Sequence, residues 1–241
     1  MRALAAAAVI VLALPAAAFG DRGRDLYLSD CAECHGADLR GVQLGGPRVG
    51  AQDKVPAGPA LRGVGALAAD FYLRTGYMPL DDAKAQPKRS KPSYGERDIG
   101  ALVDFVASYG GPRSPRVDPK RGRTSTGLKL FVEHCAGCHQ VVGAGGLVTG
   151  ARAVSLEHAT PRQIAQAVRI GPYVMPRFSE HEISDRELDS LVRYVLYTRD
   201  PRDRGGWSLE HLGPLPEGIV AWLLAGAVLL VVARVIGERI E

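Results

Sequence analysis

The segment Cys31-Ala32-Glu33-Cys34-His35 recurs later in the chain as Cys135-Ala136-Gly137-Cys138-His139, and these two motifs use all four cysteines of the 241 residues. Two thiols separated by two residues, with an imidazole directly after the second, are the arrangement that attaches a c-type haem. The thiols form thioethers with the two vinyl groups, because their spacing on a helical turn matches the porphyrin edge. The histidine then lies beneath the iron as its proximal ligand. A pair of redox dithiols, or one zinc site held by four thiolates, would use the same cysteines. A zinc site has no need of a histidine in the same place twice, however, and a redox dithiol is usually single. No cysteine is left for a disulfide or a third metal site.

Methionine is scarce enough to suggest the second axial ligands. Beyond the initiator there are only Met78 and Met175 among the three methionines of the chain, and each follows one haem motif. Their surroundings agree: Gly76-Tyr77-Met78-Pro79 in the first half and Gly171-Pro172-Tyr173-Val174-Met175-Pro176 in the second. A proline directly after the methionine disfavours helix at that point, and a fixed loop can hold a thioether against iron. A lone methionine is more often core filler, but one per motif, each in a Gly/Pro loop, predicts ligation. His/Met ligation raises the potential relative to bis-histidine and suits an acceptor of electrons from mid-potential donors.

The spacing of the motifs divides the chain into two small domains, each under about 100 residues, a size at which a protein core alone is marginal. A buried porphyrin supplies the missing apolar mass. We expect a first domain over residues 21–110. Gly23 and Tyr27 lie on the helix leading into Cys31, and a Gly-rich loop follows over 36–65. Helices are expected over 66–74 and 96–109, the latter burying Ile99, Leu102, Val103 and Val106. Residues 111–122 contain three prolines and a run of positive charge; they read as a semi-rigid linker that keeps two domains apart. A second domain over 123–200 repeats the plan, with Gly127 and Phe131 before Cys135, a Gly-rich loop over 143–150, and helices over 161–170 and 185–197. Ser184 is the expected N-cap of the last helix, with Glu187 as its reciprocal partner. An internal repeat in order, spacing and chemistry is stronger than either motif alone. The other histidines, His134, His158, His181 and His211, are expected on the surface or in loops.

Both ends carry membrane signals. Residues 1–20, with Arg2, an apolar run from Ala3 to Ala18 broken by Pro15, and small residues before Asp21, read as a secretory signal cleaved after Ala18 or Gly20; the other reading is an uncleaved anchor helix, for which the run is short and broken by proline. Residues 201–217 are a juxtamembrane linker. Residues 218–237 are nearly all apolar, and the run Ile219 to Ile236 spans roughly 27 Å as a helix, enough for the hydrocarbon core. Trp222 marks one interface, Arg234 can reach the other, and Arg239 lies beyond it. A c-type haem is attached outside the cytoplasmic membrane, so the haem domains are expected on the extracytoplasmic face and the C-terminus in the cytoplasm.

The two halves resemble class I cytochromes c, which implies an all-α fold of two tandem domains plus one C-terminal transmembrane helix. In that fold the first and last helices cross beside the haem, a glycine and an aromatic of one packing against an aromatic of the other. The matching residues are Gly23, Tyr27 and Phe105, then Gly127, Phe131 and Tyr194. The whole arrangement is similar to the dihaem cytochrome c subunit of the actinobacterial menaquinol:cytochrome c reductase, a cytochrome bc1-type complex. The similarity rests on Cys31 to Val42, on Gly171 to Ser179, on Gly213 to Gly218 leading into Ala221-Trp222, and on a polar Pro/Lys-rich insertion over 82–92. The Gly-rich loops and linker are shorter here than in that family.

The resemblance implies two covalently bound haem c groups and a tethered replacement for soluble cytochrome c. In that family the Rieske iron-sulfur subunit reduces one haem, the electron passes to the other, and the copper centre of an attached aa3-type oxidase takes it. Partners would therefore be the cytochrome b and Rieske subunits, an aa3-type oxidase and the membrane, with no nucleic acid. We expect the first domain to face the Rieske side and the second the oxidase. The chain would be a subunit of quinol-cytochrome-c reductase with no quinol site of its own. Other readings are a dihaem peroxidase, which needs an iron open to peroxide; a tethered carrier for another dehydrogenase; and a haem-based gas sensor, which two occupied sixth positions disfavour.

Overall fold

The computed structural model describes residues 17–42, 58–80, 86–201 and 214–238. Residues 1–16 of the expected signal sequence, part of the first Gly-rich loop, residues 81–85 of the insertion, residues 202–213, including His211, and residues 239–241, including Arg239, lie outside the described residues.

The first half is built from helix α1 (Ala17–Asp30), the short motif helix α2 (Ala32–His35), α3 (Gly65–Arg74) and α4 (Glu96–Ala107). The second half repeats them as α5 (Thr124–His134), α6 (Ala136–His139), α7 (Pro161–Ile170) and α8 (Asp185–Tyr197). The first helix of each half crosses the last, and a glycine makes the crossing possible. A Cβ on Gly23 would lie 2.1 Å from the Ala101 carbonyl oxygen and 2.9 Å from Phe105 Cβ; on Gly127 it would lie 2.0 Å from the Ser190 carbonyl oxygen and 2.7 Å from Tyr194 Cβ. Any side chain larger than hydrogen would push the helices apart. Beside each glycine the expected aromatic pair forms, Tyr27 with Phe105 and Phe131 with Tyr194, both with ring centroids 5.2 Å apart. Each pair carries one phenol that donates to a backbone carbonyl, Tyr27 to Gly36 at 2.7 Å and Tyr194 to Val141 at 2.8 Å. The phenol thus sits on the first helix of one domain and on the last helix of the other.

Ile99, Leu102, Val103 and Val106 are buried on α4 as the periodicity predicts, although the helix stops at Ala107 rather than 109. In the second half the core gathers Phe131, Ile164, Val168, Leu188, Leu191 and Val195. Helix α8 starts with the expected cap: Ser184 Oγ accepts from the Glu187 backbone N–H at 3.4 Å, and the Glu187 carboxylate accepts from the Ser184 backbone N–H at 2.9 Å. The hydrogen bonds from Ser184, side chain first and then backbone, hold the Glu187 carboxyl below its ordinary pKa. A carboxylate depressed in the folded state stabilises it above the unfolded pKa, and that contribution is lost as pH falls through the folded value. Ser184→Ala is therefore expected to cost about 1 kcal/mol at pH 7, a loss that shrinks below pH ~4, near the ordinary glutamate range. Urea melts at the two pH values check this.

Two features depart from the sequence reading. The second Gly-rich stretch contains a small antiparallel hairpin, β1 (Gly146–Val148) with β2 (Ala151–Ala153), Gly146 opposite Ala153. Three-residue strands are too short to show a period of two. The linker also does not hold the domains apart. Its polar groups dock instead: Ser114 Oγ is 2.8 Å from Gln166 Nε2, the Asp118 backbone N–H donates to Asp189 at 2.7 Å, and residues Pro119–Arg121 form a 3₁₀ turn. The two halves pack directly, α3 against α7. At that contact the buried Asp70, 2 % exposed, accepts from Gln166 Nε2 at 2.7 Å, Arg74 Nε at 2.8 Å and Arg162 Nε at 3.0 Å. A buried carboxylate needs such partners, and two of the three come from the other domain.

Helix α9 (Pro214–Gly237) is of a different kind. Its segment Glu217–Gly237 has a mean hydropathy of 2.6 and is long and apolar enough to cross a membrane. Trp222 and Leu230 are among the apolar side chains it exposes.

Candidate functional site

Each motif sits where the first helix of its domain ends and the chain turns. Cys135 donates its backbone N–H to Phe131 at 2.8 Å, and His139 donates to Cys135 at 2.9 Å; Cys31 donates to Tyr27 and His35 to Cys31, each at 2.9 Å. Both cysteines and the histidine of each motif are thereby fixed on one helical turn. Just past the motif the backbone turns through positive φ, 74° at Gly36 and 59° at Gln140. Gly58 lies against the first motif, where a Cβ would come within 2.5 Å of the Cys34 carbonyl oxygen and 3.0 Å of His35 Nδ1.

The two histidines are held in the same way. His35 Nδ1 lies 2.8 Å from the Pro59 carbonyl oxygen and His139 Nδ1 lies 3.0 Å from that of Val154. A carbonyl can only accept, so Nδ1 carries the proton and donates, leaving Nε2 with a free lone pair. This is the tautomer and orientation of an imidazole that ligates metal through Nε2. Burial lowers the His139 pKa and so favours the neutral ring, an effect partly opposed by the bond to Val154. Sequence reasoning did not find Pro59 and Val154, because a backbone carbonyl acts there and carbonyls have no residue signature.

Cys31 and Cys135 are not poised for redox exchange. Burial, with the neighbouring Asp30 charge, raises Cys31 to about 11, and burial with Cys138 raises Cys135 to about 11. A reactive dithiol needs the opposite shift. Among the described residues no group of three or more His, Cys, Asp or Glu side chains is arranged to hold a metal ion, so the four-thiolate zinc site has no geometric basis there.

In the second domain Cys135, His139 and Met175 line one cavity, and all three recur with Cys138 in an adjoining hollow. The walls include Phe131, Ile164, Leu191 and Val195, so the polar and sulfur donors face an otherwise apolar space. Met175 follows the left-handed cap Gly171, φ 65°, and its backbone N–H donates to Pro172 at 3.1 Å. Met78 is half-buried in the loop after α3, with its N–H 3.3 Å from the Tyr72 carbonyl oxygen. Part of the first site's surroundings falls on residues 43–57, outside the described residues. His134, His158 and His181 are exposed as expected, His134 with its ring 5.5 Å from that of Phe178. Sequence reasoning also missed that Phe71, Thr75, Tyr77 and Arg89 of the first domain line the second domain's cavity.

The residues present fit haem c. Paired cysteines lie on a turn, a histidine offers Nε2, and a methionine faces the same apolar space in the second domain. Residues 20–110 match the family model described as cytochrome c, and residues 122–195 match that described as cytochrome C oxidase, cbb3-type, subunit III. Fold and sequence thus define a protein with two cytochrome c domains. The cytochrome bc1 complex cytochrome c subunit of Corynebacterium diphtheriae is 35% identical over 90% of this chain and 80% of its own length. The protein of the same description from Mycobacterium tuberculosis is 33% identical over 90% of this chain and 77% of its own. The chain belongs to this family of cytochrome bc1 complex cytochrome c subunits. Among solved structures, the reducing HAO-like protein complex of Kuenenia stuttgartiensis is 16% identical, with a TM-score of 0.36 over 74% of this chain and 96% of that one.

Proposed function

We propose that this chain is a membrane-anchored dihaem cytochrome c that carries electrons within a quinol:cytochrome c reductase of the bc1 type. The observation that carries the reading is the convergence of Cys135, Cys138, His139 and Met175 on two adjoining hollows of the second domain, in a chain of this family. Cys31, Cys34, Cys135 and Cys138 would hold the two haems covalently, and His35, His139, Met78 and Met175 would hold the iron. Haem c supplies a one-electron couple at each site. The protein fixes each histidine through Pro59 or Val154, excludes water with apolar walls, and raises the potential with thioether ligands.

Residues 1–20 direct export and are removed, and 218–237 anchor the chain with its haem domains on the extracytoplasmic face and its C-terminus in the cytoplasm. The partners are a cytochrome b subunit and a Rieske iron-sulfur subunit on the donor side, facing the first domain, and an aa3-type oxidase facing the second. The chain contributes to quinol oxidation as a subunit and has no quinol site itself. A chain ending at residue 201 is expected to leave the membrane fraction, while the full chain stays there until detergent is added; haem-stained fractions compare the two.

The test is mild-detergent purification from native membranes through a tag on this chain, with mass spectrometry of what accompanies it. Co-purifying cytochrome b and Rieske proteins are the expected result, and oxidase subunits would extend the assembly. A chain that emerges alone or with a dehydrogenase overturns the assignment to the reductase.

A further inference from the structure

The cavity of the second domain is not made by the second domain alone. Tyr77 and Arg89 belong to the first domain, yet both line it. Tyr77 is only 8 % exposed and is held edge-on to Phe71 at 5.6 Å between ring centroids. The Arg89 guanidinium is gripped by two acceptors of the second domain, donating to the His158 carbonyl oxygen at 3.1 Å and to Gln163 Oε1 at 2.8 Å. A few residues away Gln86 exchanges two hydrogen bonds with the Arg152 backbone, at 2.6 and 2.9 Å. The segment therefore docks by directed bonds. Arg89 is also the one arginine or lysine lining this cavity among the described residues, while Arg152, whose backbone Gln86 holds, lines the adjoining hollow.

We propose that the second redox site is shared across the domain interface, Tyr77 of the first domain closing its wall and Arg89 supplying the positive charge that stabilises the electron it accepts. The inference rests on haem c being bound there, as proposed above. Reduction adds one negative charge to a site with apolar walls, where a fixed cation acts more strongly than it would in water. The guanidinium also matches the carboxylates that a haem carries. The buried Asp70, bonded from Arg162 and Gln166 of the other domain, fixes the interface so that Arg89 keeps its place. The potential of the second centre thus depends on a residue of the first domain.

The test uses the full chain purified in detergent, with covalent haem counted first by haemochrome spectroscopy. A wild-type count below two overturns the proposed function, and with it this inference, before any potential is measured. Redox titration then follows both centres, the second being the one missing from a Cys135→Ala/Cys138→Ala variant. Arg89 lies outside both apolar cores, and covalent haem is counted in each variant as well, so that potentials are compared only between chains that carry both haems. Arg89→Gln is expected to shift the second centre's one-electron equilibrium constant about tenfold toward the oxidised state, equivalent to about 59 mV, with the first centre unmoved. Arg89→Lys, which keeps the charge, should retain most of the wild-type value. An unchanged second centre, an equal shift in both centres, or equal effects of Gln and Lys would each overturn the proposal.

Discussion

With haem c bound as proposed, Met175→Ala is expected to keep both thioether attachments and to lower the potential of the second haem by more than ~0.1 V, within the roughly 0.8 V range that axial ligands command. The effect is large because thioether ligation favours the reduced iron, and an alanine at this position leaves no donor on the loop. The covalent attachment survives because Cys135 and Cys138 lie on a separate element, the turn leading from α5 into α6. The loop itself remains anchored: Gly171 keeps its bond to Ala167 at 2.8 Å, and Phe178 keeps its bond to Val168 at 2.9 Å. Redox titration of the full chain with parallel haem quantification separates the two effects. An unchanged potential would show that some other group holds the sixth position.

Gly127→Val is expected to destabilise the second domain by more than about 3 kcal/mol, above the usual range for an overpacked core. A single Cβ there already stands 2.0 Å from the Ser190 carbonyl oxygen, which is helix backbone and cannot rotate away. Relief requires α5 and α8 to separate, and that movement breaks the Phe131–Tyr194 pair and opens the wall formed by Leu191 and Val195. Loss of the second haem should accompany the loss of stability. Gly100→Ala provides the control. It lies in α4 with nothing within 4 Å of its added Cβ, so it should be neutral or stabilise by up to about 1 kcal/mol. Thermal melts followed by circular dichroism, with haem content measured on the same samples, distinguish the two outcomes.

The first domain tests the generality of that argument. Gly23 meets the Ala101 carbonyl oxygen at 2.1 Å, so the same substitution there should damage the first domain in the same way. A repeat that preserves the tightest contact of the fold preserves its physical constraint, whatever happens in the loops between. Among the described residues the second half has a hairpin after its motif, and the first has Gln86 and Arg89, which bond to its neighbour.

Much of this was legible in the sequence because the requirements are local. Covalent attachment dictates two cysteines and a histidine on one turn. Amphipathic periodicity marked α4, and the Ser184–Glu187 cap that marked the start of α8 lies within four residues. An apolar run of membrane length can be read without reference to the rest of the chain. Gly23 with Tyr27 and Gly127 with Phe131 recur at the same offsets from Cys31 and Cys135, and the resemblance to class I cytochromes c implied that they cross the last helix. The tertiary structure alone decided which backbone carbonyls orient the histidines, that the linker docks rather than spaces, and that the first domain reaches into the second cavity. These contacts join polar residues far apart in the chain, such as Gln166 and Asp70, 96 positions distant. A hydrogen bond at that separation leaves no period, spacing or composition in the sequence, because its geometry exists only once both domains have folded and met.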